Sequence, residues 1–183
     1  MGKIASSLEE LHLIHYPDPR LRQAARPVEK ITDEIRAIAE RMIVVMHETR
    51  GVGLAAPQVG LDIRLIILRS LSGDLTEEPD APSGLAFVNP DIITRRGFIS
   101  EEEGCLSVPD IRAKIRRSEE VTVRTWDLDG EERLITSAGI LARAWQHETD
   151  HLNGILVIDK MSEAGRMRNA KRLKELEALY EES

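Results

Sequence analysis

The chain has 183 residues, 42% of them hydrophobic, with 25 lysines and arginines against 32 aspartates and glutamates for a net charge of −7. That length holds one domain with a full core and not two of ordinary size, and the acidic balance gives no global basic field, so direct DNA binding is not expected. A single cysteine excludes an intramolecular disulfide, and no apolar run approaches the ~20 residues that would cross a bilayer, so no membrane partner is expected.

In chain order, residues 1–7 lead into Glu9-Glu10 without a long apolar run, which points to the cytoplasm. His15-Tyr16-Pro17-Asp18-Pro19 and Ala25-Arg26-Pro27-Val28 are punctuated by proline and predict an extended lead-in. Thr32 is placed to cap a helix with Asp33 and Glu34 in its first turn and Ile35, Ile38, Met42, Val45 and Met46 along its buried stripe. His47, near the end of that helix, suits the negative end of the helix dipole and carries no catalytic role. Residues 63–68 predict a buried strand, 69–84 an acidic surface loop, and 85–88 and 92–99 two strands parted by Asn89-Pro90. Residues 121–126 and 131–135 flank Asp129-Gly130, a hairpin signal. Trp126 and Trp145 are expected to be packing anchors. A last helix is predicted over about 163–182, with Leu173, Leu176 and Tyr180 on one stripe and Arg166, Arg168, Lys171, Arg172 and Lys174 among its polar positions.

Three stretches carry chemistry. In Gln146-His147-Glu148-Thr149-Asp150-His151 a helix would put both histidines on one face, within reach of one metal ion, with Glu148 beside them as a base. Ile140 and Ala144 extend that face toward the helix start, and Asn153-Gly154 supplies a stop. An amphipathic helix with two satisfied histidines would show the same pattern, so a third ligand is needed. Cys105, after a glycine in Glu101-Glu102-Glu103-Gly104-Cys105-Leu106-Ser107, can supply it: with His147 and His151 it would leave the fourth position of a tetrahedral site open, as in catalytic metal centres. Taken alone, that cysteine would be a small buried hydrophobe, and Glu101 to Glu103 a solvated charge run. The third stretch, Gly51-Val52-Gly53-Leu54-Ala55-Ala56-Pro57-Gln58, lets a backbone approach a ligand closely, and Gln58 brings both an amide donor and an acceptor. It lacks the downstream glycine and lysine of a phosphate loop.

In order and spacing these three stretches resemble the signature motifs of the peptide deformylases, and the lead-in around His15-Tyr16-Pro17-Asp18 is similar as well. The resemblance covers about 14–161 and implies an α+β fold, with antiparallel β-sheets around a central metal-binding helix and an N-terminal and a C-terminal helix. The activity it implies is removal of the formyl group from N-formylmethionine at the start of nascent chains. The metal would be one divalent ion, Fe2+ in this family, held by Cys105, His147 and His151; two imidazoles and a thiolate also suit Zn2+, Co2+ and Ni2+ as replacements. An iron–thiolate site would be sensitive to oxygen through Cys105. Glu148 would accept a proton from the attacking water and pass it to the departing amine, while the Gln58 side chain and the Leu106 backbone N–H would bind the formyl oxygen as it becomes an oxyanion.

The resemblance extends to substrate binding. Backbone groups of Val52, Gly53 and Gly104 match the edge along which the family's peptides pair as an extended strand. Val52, Ile140, Arg143 and Ala144, with the ring of His147, fall where the methionine pocket is built. Arg143 and Glu101 stand where some members carry apolar residues, and the Arg143 stem can still pack on a thioether. Arg112 or Arg117 is the expected partner of Asp150, orienting the site from behind the ligands. The C-terminal helix would make a transient contact with the ribosome. The absence of an Arg-rich, Ser-rich leader favours a bacterial source, and a mature organellar chain would look the same.

Two rivals frame this reading. A zinc endopeptidase of the longer His-Glu-His pattern is disfavoured because Val157 stands where its third histidine belongs, and a glutamate ligand such as Glu175 would revive it. A metal-dependent ribosome adaptor without catalysis would need Cys105 and the histidines, with no use for Glu148 or Gln58.

Overall fold

The computed structural model describes residues 8–69 and 84–182. Most of the acidic loop expected over 69–84 therefore lies outside the described residues. A 3-10 turn, Pro19–Arg22, follows the extended lead-in. Helix α1, Asp33–Glu48, begins where the sequence places it: Thr32 Oγ1 accepts from Ile35 N–H, and Ile38, Ala39, Met42, Val45 and Met46 are buried. Strand β1 (Gly53–Ala55) runs into a second 3-10 turn, Ala56–Val59, and then come β2 (Leu65–Leu68), β3 (Leu85–Arg96), β4 (Ile99–Cys105), β5 (Val108–Arg117), β6 (Glu120–Trp126) and β7 (Glu132–Ala138). Helix α2, Gly139–Leu152, follows directly, then a 3-10 turn at Val157–Asp159 and helix α3, Glu163–Glu181.

All strand pairs are antiparallel. Five strands form one sheet in the order β1-β2-β3-β6-β7, and β4 and β5 form a separate ribbon. The sheet is covered on both faces at β2, whereas its β7 edge leaves one face to solvent, with Leu134 65% exposed. Alternate residues of β2 divide between two cores: Ile66 and Leu68 join Trp145, Leu152 and Phe87 on the α2 side, whereas Leu65 and Ile67 join Met42 and Met46 on the α1 side. A strand buried on both faces is apolar throughout, which is why 65–68 is an unbroken apolar run. A third core packs the inward residues of β5, including Ile111 and Ile115, on Leu156, Met161 and Leu176. Helix α3 is anchored there by Leu176 and Leu173, while Tyr180, expected on the same stripe, is 43% exposed.

The two strands expected over 85–88 and 92–99 are one bent strand and the start of the next. Asn89 takes a left-handed conformation with φ 50°, and its amide exchanges two 2.8 Å hydrogen bonds with the backbone of Val28. The register shifts between Val88 and Asp91. The Asn89-Pro90 break is thus a bulge absorbed within β3, and the true turn falls at Gly97, φ 60°, between β3 and β4. The hairpin at Asp129-Gly130 forms as the sequence predicts, with Gly130 at φ 84° between β6 and β7, which pair from Trp126–Glu132 to Glu120–Ala138.

Candidate active site

Helix α2 touches β1, β2, β3, β6 and β7, so the polypeptide has little freedom in how it presents its histidines. Trp145, fully buried against Phe87 with ring centroids 4.6 Å apart, fixes the helix to the sheet. Gln146 fixes its rotation: the side chain accepts from Ser118 N–H at 2.9 Å and donates to Ser118 C=O at 2.9 Å. His147 and His151 then project together, ring centroids 5.0 Å apart. The end of β4 delivers Cys105 to the same place. Its Sγ lies 3.2 Å from His151 Nε2, and one donor atom from each of Cys105, His147 and His151 falls within 4.8 Å of the others.

This donor set fits a metal. Tetrahedral coordination with metal–sulfur and metal–nitrogen bonds of ~2.3 and ~2.0–2.1 Å puts donors ~3.3–3.6 Å apart; the Cys105–His151 pair at 3.2 Å is close to that, within a group that spans up to 4.8 Å. Burial, His147 and Arg117 push His151 well below its ordinary value, leaving a neutral ring. Burial also opposes charge on His147, but hydrogen bonding to Cys105 and Glu103 raises it well above the ordinary histidine value. Glu175, the residue that would have supported an endopeptidase, pairs instead with Arg172 on α3 at 3.3 Å and is not in the donor group.

Glu148 is 4% exposed, its Oε2 has no hydrogen-bond partner among the described residues, and burial pushes its carboxyl up to about 7. Gly53 lies against it: a Cβ added there would stand 2.5 Å from Glu148 Oε1. Only glycine lets β1 run this close to the carboxylate. Gln58 is held by its own turn, with Oε1 accepting from Ala55 N–H at 2.8 Å and Nε2 3.7 Å from Cys105 Sγ.

A cleft of about 310 Å³ opens over these groups. Every one of the residues predicted for catalysis or substrate binding lines it: Glu148, Gln58, Leu106, Val52, Gly53, Gly104, Ile140, Arg143 and Ala144, together with the candidate ligands Cys105 and His147. His151 lies beneath, 1% exposed. Arg112, given no substrate role from the sequence, also lines the cleft, and Arg117 is the arginine that reaches Asp150.

The residue the sequence misplaced is Glu103. It does not belong to a solvated charge run: its neighbours Glu101 and Glu102 are exposed while Glu103 is 7% exposed. Arg117 donates to it through Nη2 at 2.9 Å and Nε at 3.2 Å, Arg143 Nε at 3.3 Å, and His147 Nδ1 lies 3.4 Å from it. Burial opposes its charge, but His147 and Arg117 outweigh burial and hold the carboxyl down at about 2. Asp150 accepts from the other side of Arg117 and from Lys160 Nζ at 3.0 Å. The signal, a partial one, was the strand period of two. In β4 that period puts Glu101 and Glu103 on one face and Glu102 on the other without separating Glu103 from Glu101, and in β5 Arg117 shares parity with Ile111, Ala113 and Ile115, whereas Arg112 does not.

An antiparallel sheet wrapped on a helix that presents two histidines, a cysteine completing the donor set and a buried glutamate beside it define a metal-dependent hydrolase. The profile of the polypeptide deformylase family matches residues 10–167, and the chain belongs to that family. It is 42% identical over 165 residues to the peptide deformylase of Acidobacterium capsulatum, covering 90% of this chain and 94% of that one. Its fold superposes on a peptide deformylase from Plasmodium falciparum with a TM-score of 0.85 and 35% identity, over 93% and 98% of the two chains. On that of Legionella pneumophila the TM-score is 0.80 with 38% identity, over 93% and 97%. The chain is thus a hydrolase that takes the formyl group off the N-terminal formylmethionine of newly made proteins, releasing formate. No helix among the described residues is long and apolar enough to cross a membrane.

Proposed function

We propose that Cys105, His147 and His151 hold one divalent ion, Fe2+ in the cell, with Zn2+, Ni2+ or Co2+ as workable replacements. The donor set supports this, since one thiolate and two imidazoles accept all four metals. When bound, the metal lowers the pKa of a water and polarises the formyl carbonyl. Glu148 takes the proton from the water and delivers it to the departing amine. Its burial, which places the carboxyl at about 7, suits a group that must both accept and release a proton near neutral pH. Gln58 Nε2 and the Leu106 backbone N–H donate to the formyl oxygen as negative charge develops, each contributing about 2.7–4 kcal/mol to the transition state.

The substrate lies as an added strand. Among the described residues β1 and β4 each have a hydrogen-bonded neighbour on one side only, and residues of both line the cleft, so Val52, Gly53 and Gly104 can offer backbone groups to a peptide whatever its side chains. Val52, Ile140, Arg143, Ala144 and the His147 ring surround the methionine side chain. The Arg143 head is drawn aside by Glu103 and by Glu102 C=O at 2.7 Å, which leaves its methylene stem to the pocket. The protein acts in the cytoplasm, where nascent chains emerge, and α3 offers exposed Arg168, Lys171 and Lys174 for a transient ribosome contact. Reversing those three charges should abolish co-sedimentation with ribosomes; unchanged binding would exclude the helix.

The observation that carries this reading is the convergence of Cys105, His147 and His151 beside the buried Glu148. Formate release from formyl-Met-Ala-Ser by anaerobically purified protein, with metal determined on the same sample, tests it. Release and metal should both vanish in Cys105→Ala. A fully metallated wild-type protein that released no formate would overturn it.

A further inference from the structure

The turn after Cys105 carries a hydroxyl that the scheme above leaves without a role. Ser107 is fully buried, and its Oγ accepts from Gln58 Nε2 at 3.3 Å. The other end of the same carboxamide is fixed as well, because Gln58 Oε1 accepts from Ala55 N–H. An amide whose oxygen is taken by a main-chain N–H must present its NH2 group the other way, and that group has two hydrogens. Here one goes to Ser107, which leaves the second for the cleft and Cys105.

The two backbones that carry this pair are tied to one short segment of the lead-in. Ile14 N–H donates to Gln58 C=O at 2.8 Å, and Tyr16 N–H donates to Ser107 C=O at 2.8 Å. The distance between the hydroxyl and the amide is therefore set by main-chain hydrogen bonds and not by the side chains themselves. The terminal torsion of a free glutamine is broad, whereas a donor aimed in advance at a developing oxyanion is what makes such a contact effective.

We infer that Ser107 is a positioning residue for deformylation: its hydroxyl oxygen anchors one Nε2 hydrogen of Gln58 so that the other points at the formyl oxygen. This rests on the reading of Gln58 as an oxyanion donor. The test is a double-mutant cycle, with kcat, KM and metal content measured on formyl-Met-Ala-Ser for Ser107→Ala, Gln58→Ala and the double variant. Ser107→Ala should lower kcat by roughly 3- to 10-fold, the size of one hydrogen bond, with KM and metal unchanged. Gln58→Ala should lower kcat by roughly 100- to 1000-fold, and adding Ser107→Ala to it should change nothing further. A Ser107→Ala loss that persists in full without Gln58, or one accompanied by loss of metal or confined to KM, would overturn the inference while leaving the role of Gln58 intact. Full activity of Gln58→Ala would overturn the donor reading itself and the inference with it.

Discussion

Glu103 and Glu148 are both buried, at 7% and 4% exposure, and both adjoin His147 of the donor group, yet they titrate at opposite ends of the carboxyl range. Glu103 is met by Arg117, Arg143 and His147 and is held at about 2. Among the described residues Glu148 has one oxygen without a partner, and burial pushes it to about 7. Burial is common to both, so the partners make the difference. A carboxylate given two guanidinium groups becomes a fixed charge that orients an imidazole, and one left unpartnered becomes a group that can trade a proton at neutral pH.

The sharpest way to break this contrast is to remove the proton acceptor. Glu148→Gln should reduce formate release by roughly 10²- to 10⁴-fold, read at saturating peptide, with metal content unchanged. Next in size is the cation behind Glu103. Arg117→Met removes the shared partner of two acids, leaving Glu103 to Arg143 and His147 and Asp150 to Lys160, and should cost about 3–5 kcal/mol in chemical denaturation.

The two glutamates should then have opposite effects on stability. Because Glu103 titrates at about 2 when folded, below its ordinary 4.5, its contribution is complete above about 4.5 and is lost as the pH falls toward 2. Glu103→Gln should remove ~3 kcal/mol at neutral pH and flatten the acid limb of the stability curve. It should also weaken metal binding by roughly 10- to 100-fold, since His147 loses the group that orients it. Glu148 titrates at about 7, above 4.5, so its charge penalises the native state increasingly from pH 4.5 to 7 and fully above that. Glu148→Gln should stabilise the metal-free protein by ~1–3 kcal/mol at pH 8 and have no effect at pH 4. The smallest effect belongs to the rim of the network: Lys160, 35% exposed against Asp150, should cost less than about 1 kcal/mol as Lys160→Met.

Much of this was legible in the sequence. Helix α1 follows from Thr32 and the spacing of its methionines, and α2 from the periodicity that runs through Ile140, Ala144, His147 and His151. The three donors that converge and the residues that line the cleft were named there too, since each belongs to a short stretch whose chemistry is local. The role of Glu103 was not legible because three successive glutamates look solvated, strand parity pairs Glu103 with the exposed Glu101, and the cations that single it out, Arg117, Arg143 and His147, lie on other elements. The single strand through Asn89-Pro90 was hidden for a different reason. The bulge is held by Val28, a residue far away in the chain, and no local pattern announces that bond. Ser107 was quoted in a motif and given no role, because its partner Gln58 lies on another element.

The measurement that tests the contrast most directly is formate release per bound metal, compared between Glu103→Gln and Glu148→Gln purified without oxygen and loaded with the same divalent ion. The account predicts that Glu103→Gln, once metallated, retains kcat within roughly 10-fold of the wild-type protein, while Glu148→Gln holds its metal and loses nearly all turnover. Equal losses per bound metal, or the larger loss in Glu103→Gln, would contradict it.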